Sequence, residues 1–142
     1  MAPSIPRATY RWQFHAGFTF RQAIPLVKYL DQLGISHVYA SPFFRANPGT
    51  THGYDVSNPN EFNAEIGTRA DFEELVAELD RHAMGLVVDF VPNHMGIGDA
   101  TNDWWMDVLE HGQASPYAHF FEIEWDTLKP GRKGKVLYPI LA

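Results

Sequence analysis

The sequence has 142 residues, of which 45% are hydrophobic and 20% charged, a globular composition within the size range of one domain. The formal charge of −6 and the absence of any block of five like charges argue against nucleic-acid and membrane partners. The sequence contains no cysteine, which excludes a disulfide framework and a thiolate metal site. It has neither a signal-peptide pattern nor eighteen consecutive apolar residues, so we expect a cytoplasmic protein.

The first part of the chain has the pattern of a strand followed by a helix. Residues 9–14 alternate aromatic and polar side chains, which is typical of a strand with one buried face. Apolar residues then recur at helical spacing up to residue 33, after a capping-box pattern that begins at Thr19. Because a proline in a helix interior costs about 3 kcal/mol, Pro25 favours a regular helix that begins near residues 21–23.

A second strand, a long loop, a helix and a third strand follow. The strand is predicted over residues 35–41, and residues 42–67 show no sustained period, which predicts a long functional loop. Thr68 and Asp71 have the pattern of a helix cap, and the apolar run at residues 86–91 predicts a buried parallel strand. This order of elements implies right-handed crossovers and a parallel sheet of three adjacent strands.

The last part of the chain predicts an excursion from this sheet. Asn102 caps a short helix over residues 103–111, and residues 121–125 and 136–141 form the strands of a predicted hairpin. The second strand runs up to the last residue, which we interpret as truncation, because three parallel strands leave apolar edges that later units would cover. A doubly wound sheet or an eight-stranded barrel of about 250 residues would supply such units.

Three polar side chains follow the third predicted strand. Asp89, Asn93 and His94 lie at or just past its carboxyl end, where ligands bind in open and closed α/β sheets. A buried carboxylate is normally paired or hydrogen-bonded, so Asp89 is interpreted as a structural residue that holds neighbouring loops. For His94, the position at the strand end favours ligand contact over a place in the core.

The long loop carries a second group of polar residues, which would converge on the same edge. Tyr54 and Asp55 suit a pyranose, because the tyrosine ring can stack on the sugar face and the carboxylate can accept hydrogen bonds from two hydroxyls. The imidazole of His94 could serve a further hydroxyl without a metal. Gly53, which follows His52, predicts a tight turn with a positive φ angle.

Other kinds of site lack their motifs. The seven histidines are scattered, and no pair has the i,i+4 spacing of helical metal ligands, so a zinc site is not expected. The glycine-rich nucleotide-binding motifs and the nucleophile elbow of serine hydrolases are also missing. We therefore predict no metal and no cofactor.

The two polar groups resemble those of a known enzyme superfamily. Residues 89–94 resemble the first signature region of the α-amylase superfamily, glycoside hydrolase family thirteen, and residues 52–55 resemble its sugar-stacking loop. Within that superfamily, nearly the whole chain resembles the N-terminal part of the maltooligosyltrehalose synthases. Eight segments in the right order carry this resemblance: residues 9–15, 17–21, 39–42, 51–56, 92–96, 104–110, 120–125 and 135–137.

The resemblance implies an α/β fold that is part of a (β/α)8 TIM barrel. Residues 1–95 would hold the first three β/α units of the catalytic barrel, and residues 96–142 the start of a domain inserted after strand three. The implied activity converts the reducing-end α-1,4 linkage of maltooligosaccharides to an α,α-1,1 linkage by intramolecular, retaining transglycosylation. The substrate would be a maltooligosaccharide or another α-1,4-glucan.

The same resemblance implies roles for the polar residues at the strand ends. Tyr54 would be the stacking platform for the sugar beside the scissile bond, Asp55 and His94 would hydrogen-bond its hydroxyls, and His52 would flank it. Asn93 matches a position that binds calcium in many α-amylases, but the other ligands are not identifiable, so no calcium site is predicted.

The sequence departs from the family pattern in two ways, at one position near the stacking tyrosine and in the absence of assignable catalytic residues. Asn58 replaces an aspartate that usually follows the stacking tyrosine by four residues. No catalytic residue is assigned, because retaining chemistry needs two carboxylates about 5–5.5 Å apart and the family supplies them later in its chain. We therefore expect the 142-residue chain to be inactive alone. The alternatives are a fragment of another α-amylase-type hydrolase or glucanotransferase, and a non-catalytic carbohydrate-binding module.

Overall fold

The computed structural model describes residues 5–126 and 131–137, which divide into two compact units with their boundary between Thr101 and Asn102. Within these described ranges, no helix has the length and apolar character needed to cross a bilayer. The division at residue 95 into a barrel part and an inserted part stays a prediction. In chain order, the main elements are β1 (Thr9–Trp12), α1 (Phe20–Ala23), α2 (Val27–Gln32), β2 (His37–Ala40), β3 (Phe44–Ala46), β4 (Val56–Phe62), α3 (Arg69–Arg81), β5 (Gly85–Val88) and α4 (Asp103–His111).

The predicted parallel sheet of three adjacent strands is confirmed. Its order is β1-β2-β5, and both pairs are parallel. The strands are shorter than predicted, because β2 ends at Ala40 and the nearby Pro42 has no amide hydrogen with which to extend the ladder. The third strand therefore ends at Val88 rather than residue 91, and its prediction as a buried strand is wrong, since Val88 is 40% exposed.

The first helical segment begins with the predicted capping box. Thr19 accepts a hydrogen bond from the backbone of Gln22, whose side chain accepts one from the backbone of Thr19. The helix begins at Phe20, so the predicted start at residues 21–23 is wrong. Pro25 lies in the first turn of a 3-10 helix between α1 and α2, where its missing amide hydrogen would have no helical partner.

The second predicted cap is also confirmed, and it ties α3 to α1. Thr68 and Asp71 form a reciprocal capping box at the start of α3. Asp71 also pairs with Arg21 of α1. The hydrogen bonds from Thr68 and Arg21 hold the pKa of Asp71 well below its usual range, so the carboxylate stays charged in the folded chain.

The prediction that residues 42–67 form one long loop is wrong. β3 and β4 pair there as an antiparallel two-stranded sheet, with irregular register on both sides of Arg45. The irregular register and the proline within β4 explain why the segment shows no clean alternation of apolar and polar residues. The segment between the two strands, residues 47–55, remains a loop and carries Tyr54.

The core of the first unit is built around Phe20. This side chain is fully buried between the face of the parallel sheet that carries Trp12, Val38 and Ala40, and the helices. Four other phenylalanine rings have centroids 5.1–6.0 Å from that of Phe20: Phe14, Phe43, Phe62 and Phe72. Phe14 follows β1, Phe43 lies between β2 and β3, Phe62 ends β4 and Phe72 lies in α3, so the cluster joins the parallel sheet to the antiparallel pair and the helices.

The second unit contains the predicted helix but not the first strand of the predicted hairpin. Asn102 caps α4, which ends at His111 and is followed by Gly112 with a positive φ of 59°. Residues 121–125 have no strand structure, so that prediction is wrong, although the amide of Gly134 donates to the carbonyl of Trp125 at 3.1 Å. The predicted strand at 136–141 falls mostly on residues 138–142, which lie outside the described residues.

The Phe20 cluster leads to a prediction about stability. Phe20→Ala removes a fully buried ring that touches four others, and we expect it to lower the free energy of unfolding by about 3–5 kcal/mol. Tyr29→Ala is the matched control, because Tyr29 is 60% exposed and should cost below about 1 kcal/mol. Urea unfolding measures both changes, and equal losses would contradict the role given to Phe20.

Candidate functional site

The carboxyl ends of β1, β2 and β5 lie side by side. The amide of Ser41 donates to the carbonyl of Trp12, and the amide of Asp89 donates to that of Ala40, each at 2.9 Å. The two bonds continue the ladder one residue past β2 and β5. Asp89 therefore lies at the carboxyl edge of the sheet.

Three polar side chains share the face of the sheet that points away from the helices. Arg11 and Tyr39 are paired in register, and Tyr39 is paired with Val87, two residues before Asp89. Because side chains alternate along a strand, Asp89 leaves the sheet on the same face as Arg11 and Tyr39. The Arg11 guanidinium lies 4.6 Å from the centre of the Tyr39 ring, within cation-π range.

The Asp89 carboxylate is the centre of this group. Its Oδ2 accepts hydrogen bonds from Arg11 Nη1 at 2.9 Å, from the Tyr39 hydroxyl at 3.0 Å and from the Tyr54 hydroxyl at 2.5 Å. The side chain is 11% exposed. One carboxylate thus links β1, β2, the β5 exit and the loop that carries Tyr54.

These contacts set the charges of the group. Burial alone would raise the pKa of Asp89, but the hydrogen bonds from Tyr54, Arg11 and Tyr39 outweigh it and hold the pKa below its ordinary value. The same bond to Asp89 raises the pKa of the Tyr54 phenol, and the bond from Arg11 to Asp89 raises the pKa of the guanidinium. At neutral pH, Asp89 is an acceptor and Tyr54 a donor.

The loop that presents Tyr54 turns at Gly53, as the sequence predicts. Gly53 has a φ of 75°, and its amide donates to the Thr50 hydroxyl at 3.2 Å. A Cβ at this position would lie 2.4 Å from the carbonyl oxygen of Pro42. Both the backbone angle and the close approach to Pro42 therefore require glycine.

The His52 ring lies against the Tyr54 ring. The two planes are 17° apart, with centroids separated by 6.0 Å. His52 Nδ1 accepts a hydrogen bond from the Tyr54 amide at 3.1 Å, so the proton of the neutral ring is on Nε2. The 3.8 Å distance from the same Nδ1 to Asp55 Oδ1 is then not an ion pair, because both atoms are acceptors.

Asp55 is held within the same loop. Its Oδ1 accepts a hydrogen bond from the Thr50 hydroxyl at 2.7 Å, and the side chain is 24% exposed. The Asp55 backbone carbonyl accepts from the amide of Asn47 at 3.2 Å. These bonds fix the carboxylate beside the turn and leave part of it open to solvent.

The β5 exit brings His94 to the same loop. His94 Nε2 lies 2.9 Å from the backbone carbonyl of Tyr54, and Nδ1 lies 3.1 Å from the Asn93 side-chain carbonyl. Both partners are carbonyl oxygens, which only accept, so each contact is a hydrogen bond when the ring nitrogen that faces it carries a proton. The amide of Gly96 then donates to the carbonyl of Val56 at 2.8 Å, which ties the exit segment to the start of β4.

The structure thus brings together the residues singled out from the sequence. Tyr54 touches His52 by its ring, Asp89 by its hydroxyl and His94 by its backbone, while Asp55 is the next residue in the chain. Asn93 contacts His94. No group of three or more potential metal-binding side chains occurs in the part of the chain that the structure describes.

Sequence reasoning gave no role to Arg11, Gln13 and Tyr39. Arg11 and Gln13 were only the polar side of the first predicted strand. The signal that could have identified Arg11 and Gln13 is their spacing, because they alternate with the buried aromatic residues Trp12 and Phe14 and so point away from the core. Polar residues on the face away from the helices, at a carboxyl strand end, are candidates for a site.

Chemically, this arrangement suits a ligand with many hydroxyl groups. It offers an aromatic face, a partly exposed carboxylate and an exposed imidazole within one small region. Rings can stack on the apolar face of a pyranose, while carboxylate and imidazole groups bind its hydroxyls.

Comparison with known proteins decides the family. The family described as alpha amylase, catalytic domain, matches residues 21–140. The chain belongs to the α-amylase family. The chain has an α/β fold with three parallel strands, and it is similar in structure to part of a longer solved enzyme.

Individual relatives give a finer comparison. The chain is 43% identical over 140 residues to a putative maltooligosyl trehalose synthase of Mycobacterium tuberculosis, an alignment that covers 94% of this chain and 18% of that protein. Its structure is similar to that of maltooligosyltrehalose synthase from Arthrobacter ramosus, with a TM-score of 0.82 and 42% identity over 84% of this chain and 16% of that one. A hypothetical maltooligosyl trehalose synthase from Sulfolobus tokodaii gives a TM-score of 0.75 and 38% identity, over 80% of this chain and 16% of its own length. The chain thus spans less than a fifth of the relatives it matches.

The pKa of Asp89 leads to a prediction about pH and stability. Because the folded-state pKa lies below that of the unfolded chain, Asp89 stabilises the fold above the unfolded value of about 3.9 and loses this effect as the pH falls below it. Asp89→Asn replaces a charged acceptor of three hydrogen bonds, and we expect it to cost about 1–3 kcal/mol at pH 7. The difference between wild type and variant should shrink as the pH falls below about 4.

Urea unfolding at a series of pH values measures this difference. Asp126→Asn is the control, because the Asp126 side chain is 86% exposed and should change stability little at any pH. A difference between wild type and Asp89→Asn that is the same at pH 7 and pH 3 would contradict the charge assigned to Asp89.

Proposed function

We propose that this chain is part of a maltooligosyltrehalose synthase. The enzyme would convert the reducing-end α-1,4 linkage of a maltooligosaccharide or related α-1,4-glucan to an α,α-1,1 linkage, by intramolecular, retaining transglycosylation. The observation that carries this proposal is the Tyr54-centred cluster of ring, carboxylate and imidazole, in a chain 43% identical to a putative maltooligosyl trehalose synthase. The reaction is an isomerisation, since the product has the composition of the substrate.

The proposal includes an architecture. The three parallel strands would be the first three of a (β/α)8 barrel, within residues 1–95, and residues 96–142 would begin the domain inserted after the third strand. The exposed apolar residues beside the sheet, such as Tyr10 and Val88, would then be covered by other barrel units. The expected cytoplasmic location likewise stays a prediction.

The proposal also assigns roles at the site. Tyr54 would stack on the sugar beside the scissile bond, with His52 flanking it. Asp55 and His94 would hydrogen-bond the sugar hydroxyls, which requires His94 Nε2 to exchange the Tyr54 carbonyl for a hydroxyl. Asp89 would be structural, because all three of its donors come from protein side chains, and Asn93 would orient His94.

The cluster accounts for binding rather than for the bond exchange. Retaining transfer needs a nucleophilic carboxylate and an acid/base carboxylate about 5–5.5 Å apart. Asp89 is unsuited to the acid/base role because its hydrogen bonds hold it ionised. It is unsuited to the nucleophilic role because three protein donors occupy its Oδ2 and the side chain is 11% exposed. We therefore assign no catalytic residue within this chain, and we expect it to be inactive alone.

The reducing ends of the substrate test the proposed reaction. With maltopentaose and the full-length protein that contains this chain, we expect the reducing-end signal to fall while the total mass of pentasaccharide is unchanged. An α,α-1,1 linkage removes the free anomeric carbon, and proton NMR would show its anomeric signal replacing that of the reducing end.

Each alternative gives a different result in the same assay. A hydrolase of the α-amylase type would raise the reducing-end signal and shorten the products, and a glucanotransferase would redistribute chain lengths at constant reducing ends. A carbohydrate-binding module would bind maltopentaose and leave it unchanged. Any of these three outcomes would contradict the proposal.

The role of Tyr54 can be tested by two substitutions in the full-length protein. Tyr54→Ala removes the stacking ring and should lower kcat/KM for maltopentaose about a hundredfold. Tyr54→Phe keeps the ring and loses the hydrogen bond to Asp89, so we expect a loss of about fivefold. Tyr29→Ala is the control because Tyr29 is exposed on α2, and a similar loss in Tyr54→Phe and Tyr54→Ala would exclude stacking as the main contribution.

A further inference from the structure

Two polar side chains, one in β1 and one just past its end, connect the sheet to the loop that presents Tyr54. Arg11 lies in β1 on the face that carries Asp89, and Gln13 follows the strand by one residue and contacts the Arg11 guanidinium. Arg11 Nη2 lies 3.1 Å from the Tyr54 hydroxyl and 3.3 Å from Gln13 Oε1. Gln13 in turn contacts the loop backbone, so the two side chains form a continuous path from β1 to the loop.

The partners of Gln13 define the orientation of its carboxamide. Its Nε2 donates to the backbone carbonyls of Thr51 and His52, at 3.1 and 3.3 Å. Its Oε1 accepts from the Arg11 guanidinium. Because carbonyls only accept and a guanidinium only donates, the reverse orientation would place like groups together at every contact. Gln13 thus uses both ends of its amide, and both of its donor hydrogens.

Arg11 holds the side chain of Tyr54, as Gln13 holds the loop backbone before it. One guanidinium nitrogen, Nη1, donates to Asp89, while the other, Nη2, reaches the Tyr54 hydroxyl and Gln13. The planar fork lets one side chain hold these three partners at once, which the single ammonium of lysine cannot do in the same geometry. The Tyr54 phenol is therefore held at its tip, and the backbone two residues earlier is held by Gln13.

We propose that Gln13, supported by Arg11, is a positioning residue for sugar binding by the Tyr54 loop. The carbonyls that Gln13 binds directly precede Gly53, whose positive φ sets the direction in which Tyr54 leaves the turn. Fixing these carbonyls fixes where the paired rings of His52 and Tyr54 lie before the sugar arrives. The inference rests on the proposed function, because it assigns the ligand of that site as an α-glucan.

This arrangement has a kinetic consequence. A ring that stacks on the sugar in the bound substrate and in the transition state contributes to both states alike. Loosening the loop should then raise KM and leave kcat nearly unchanged, whereas loss of a group that touches the reacting atoms would lower kcat. A split between KM and kcat therefore separates positioning from chemistry.

Two substitutions of Gln13 distinguish hydrogen bonding from packing. Gln13→Glu keeps the size of the side chain and its contact with Arg11, but places a carboxylate oxygen against the two loop carbonyls. Gln13→Met removes the hydrogen bonds without adding repulsion. A side chain needed only for packing would tolerate both, while a positioning residue should be affected more by Glu than by Met.

The experiment uses the full-length protein with maltopentaose. We expect KM to rise about tenfold in Gln13→Glu and about threefold in Gln13→Met, with kcat within about twofold of wild type. Amide hydrogen exchange of a peptide that covers residues 50–55, measured without sugar, should be faster in both variants. Gln22→Glu is the matched control, because glutamate also completes a capping box with Thr19 and introduces the same charge.

Unchanged exchange of residues 50–55 in Gln13→Glu would overturn the inference, whatever the activity. Faster exchange with an unchanged KM would also overturn it, because the loop would then be loosened without effect on sugar binding. A fall in kcat at constant KM would do the same. Failure of the proposed function is recognised separately, since wild-type protein would then leave the reducing ends of maltopentaose in place.

Discussion

The carboxyl edge of the sheet depends on one negative charge, that of Asp89. A single carboxylate oxygen accepts from a guanidinium and two phenols that belong to β1, β2 and the Tyr54 loop. A carboxylate with such limited exposure is costly unless it is paired and hydrogen-bonded. The three donors meet that requirement, and their side chains therefore converge on Asp89 Oδ2. The positions of Arg11, Tyr39 and Tyr54 at this edge follow from the need to pair the Asp89 carboxylate.

The same charge is balanced by protein groups. The guanidinium supplies the positive counterpart, and the two hydroxyls supply directed donors around it. The aromatic rings of Tyr39 and Tyr54 keep their polar tips on the carboxylate and present their faces elsewhere. For Tyr54, one face lies against the His52 ring.

Sequence periodicity predicted the elements whose pattern has a direct physical cause. The two capping boxes at Thr19 and Thr68 were found because each needs two specific side chains three residues apart. The three parallel strands were found from their apolar runs, but their ends were not, since a strand ends where its partner ends. The antiparallel pair β3 and β4 was missed because pairing joins residues far apart in sequence and its register is irregular.

The candidate site shows the same limit. Tyr54, Asp55 and His94 could be grouped from the sequence because loops that leave neighbouring parallel strands converge on one edge, and the structure does bring them together. Arg11 and Gln13 were not recognised, because polar residues that alternate with apolar ones along a strand are usually predicted to face solvent. Only the sheet register shows that this face carries Asp89. At residues 121–125, alternation indicated a strand that does not form, because alternation describes exposure and does not supply a pairing partner.

The row formed by Arg11, Tyr39 and Val87 has an evolutionary consequence. These residues are neighbours across three strands, although Arg11 and Tyr39 are 28 positions apart in the chain and Tyr39 and Val87 are 48 positions apart. The guanidinium over the Tyr39 ring links the first two directly. Substitutions at positions 11 and 39 should therefore co-vary among homologous sequences, so that loss of the arginine is accompanied by a different partner at the tyrosine position.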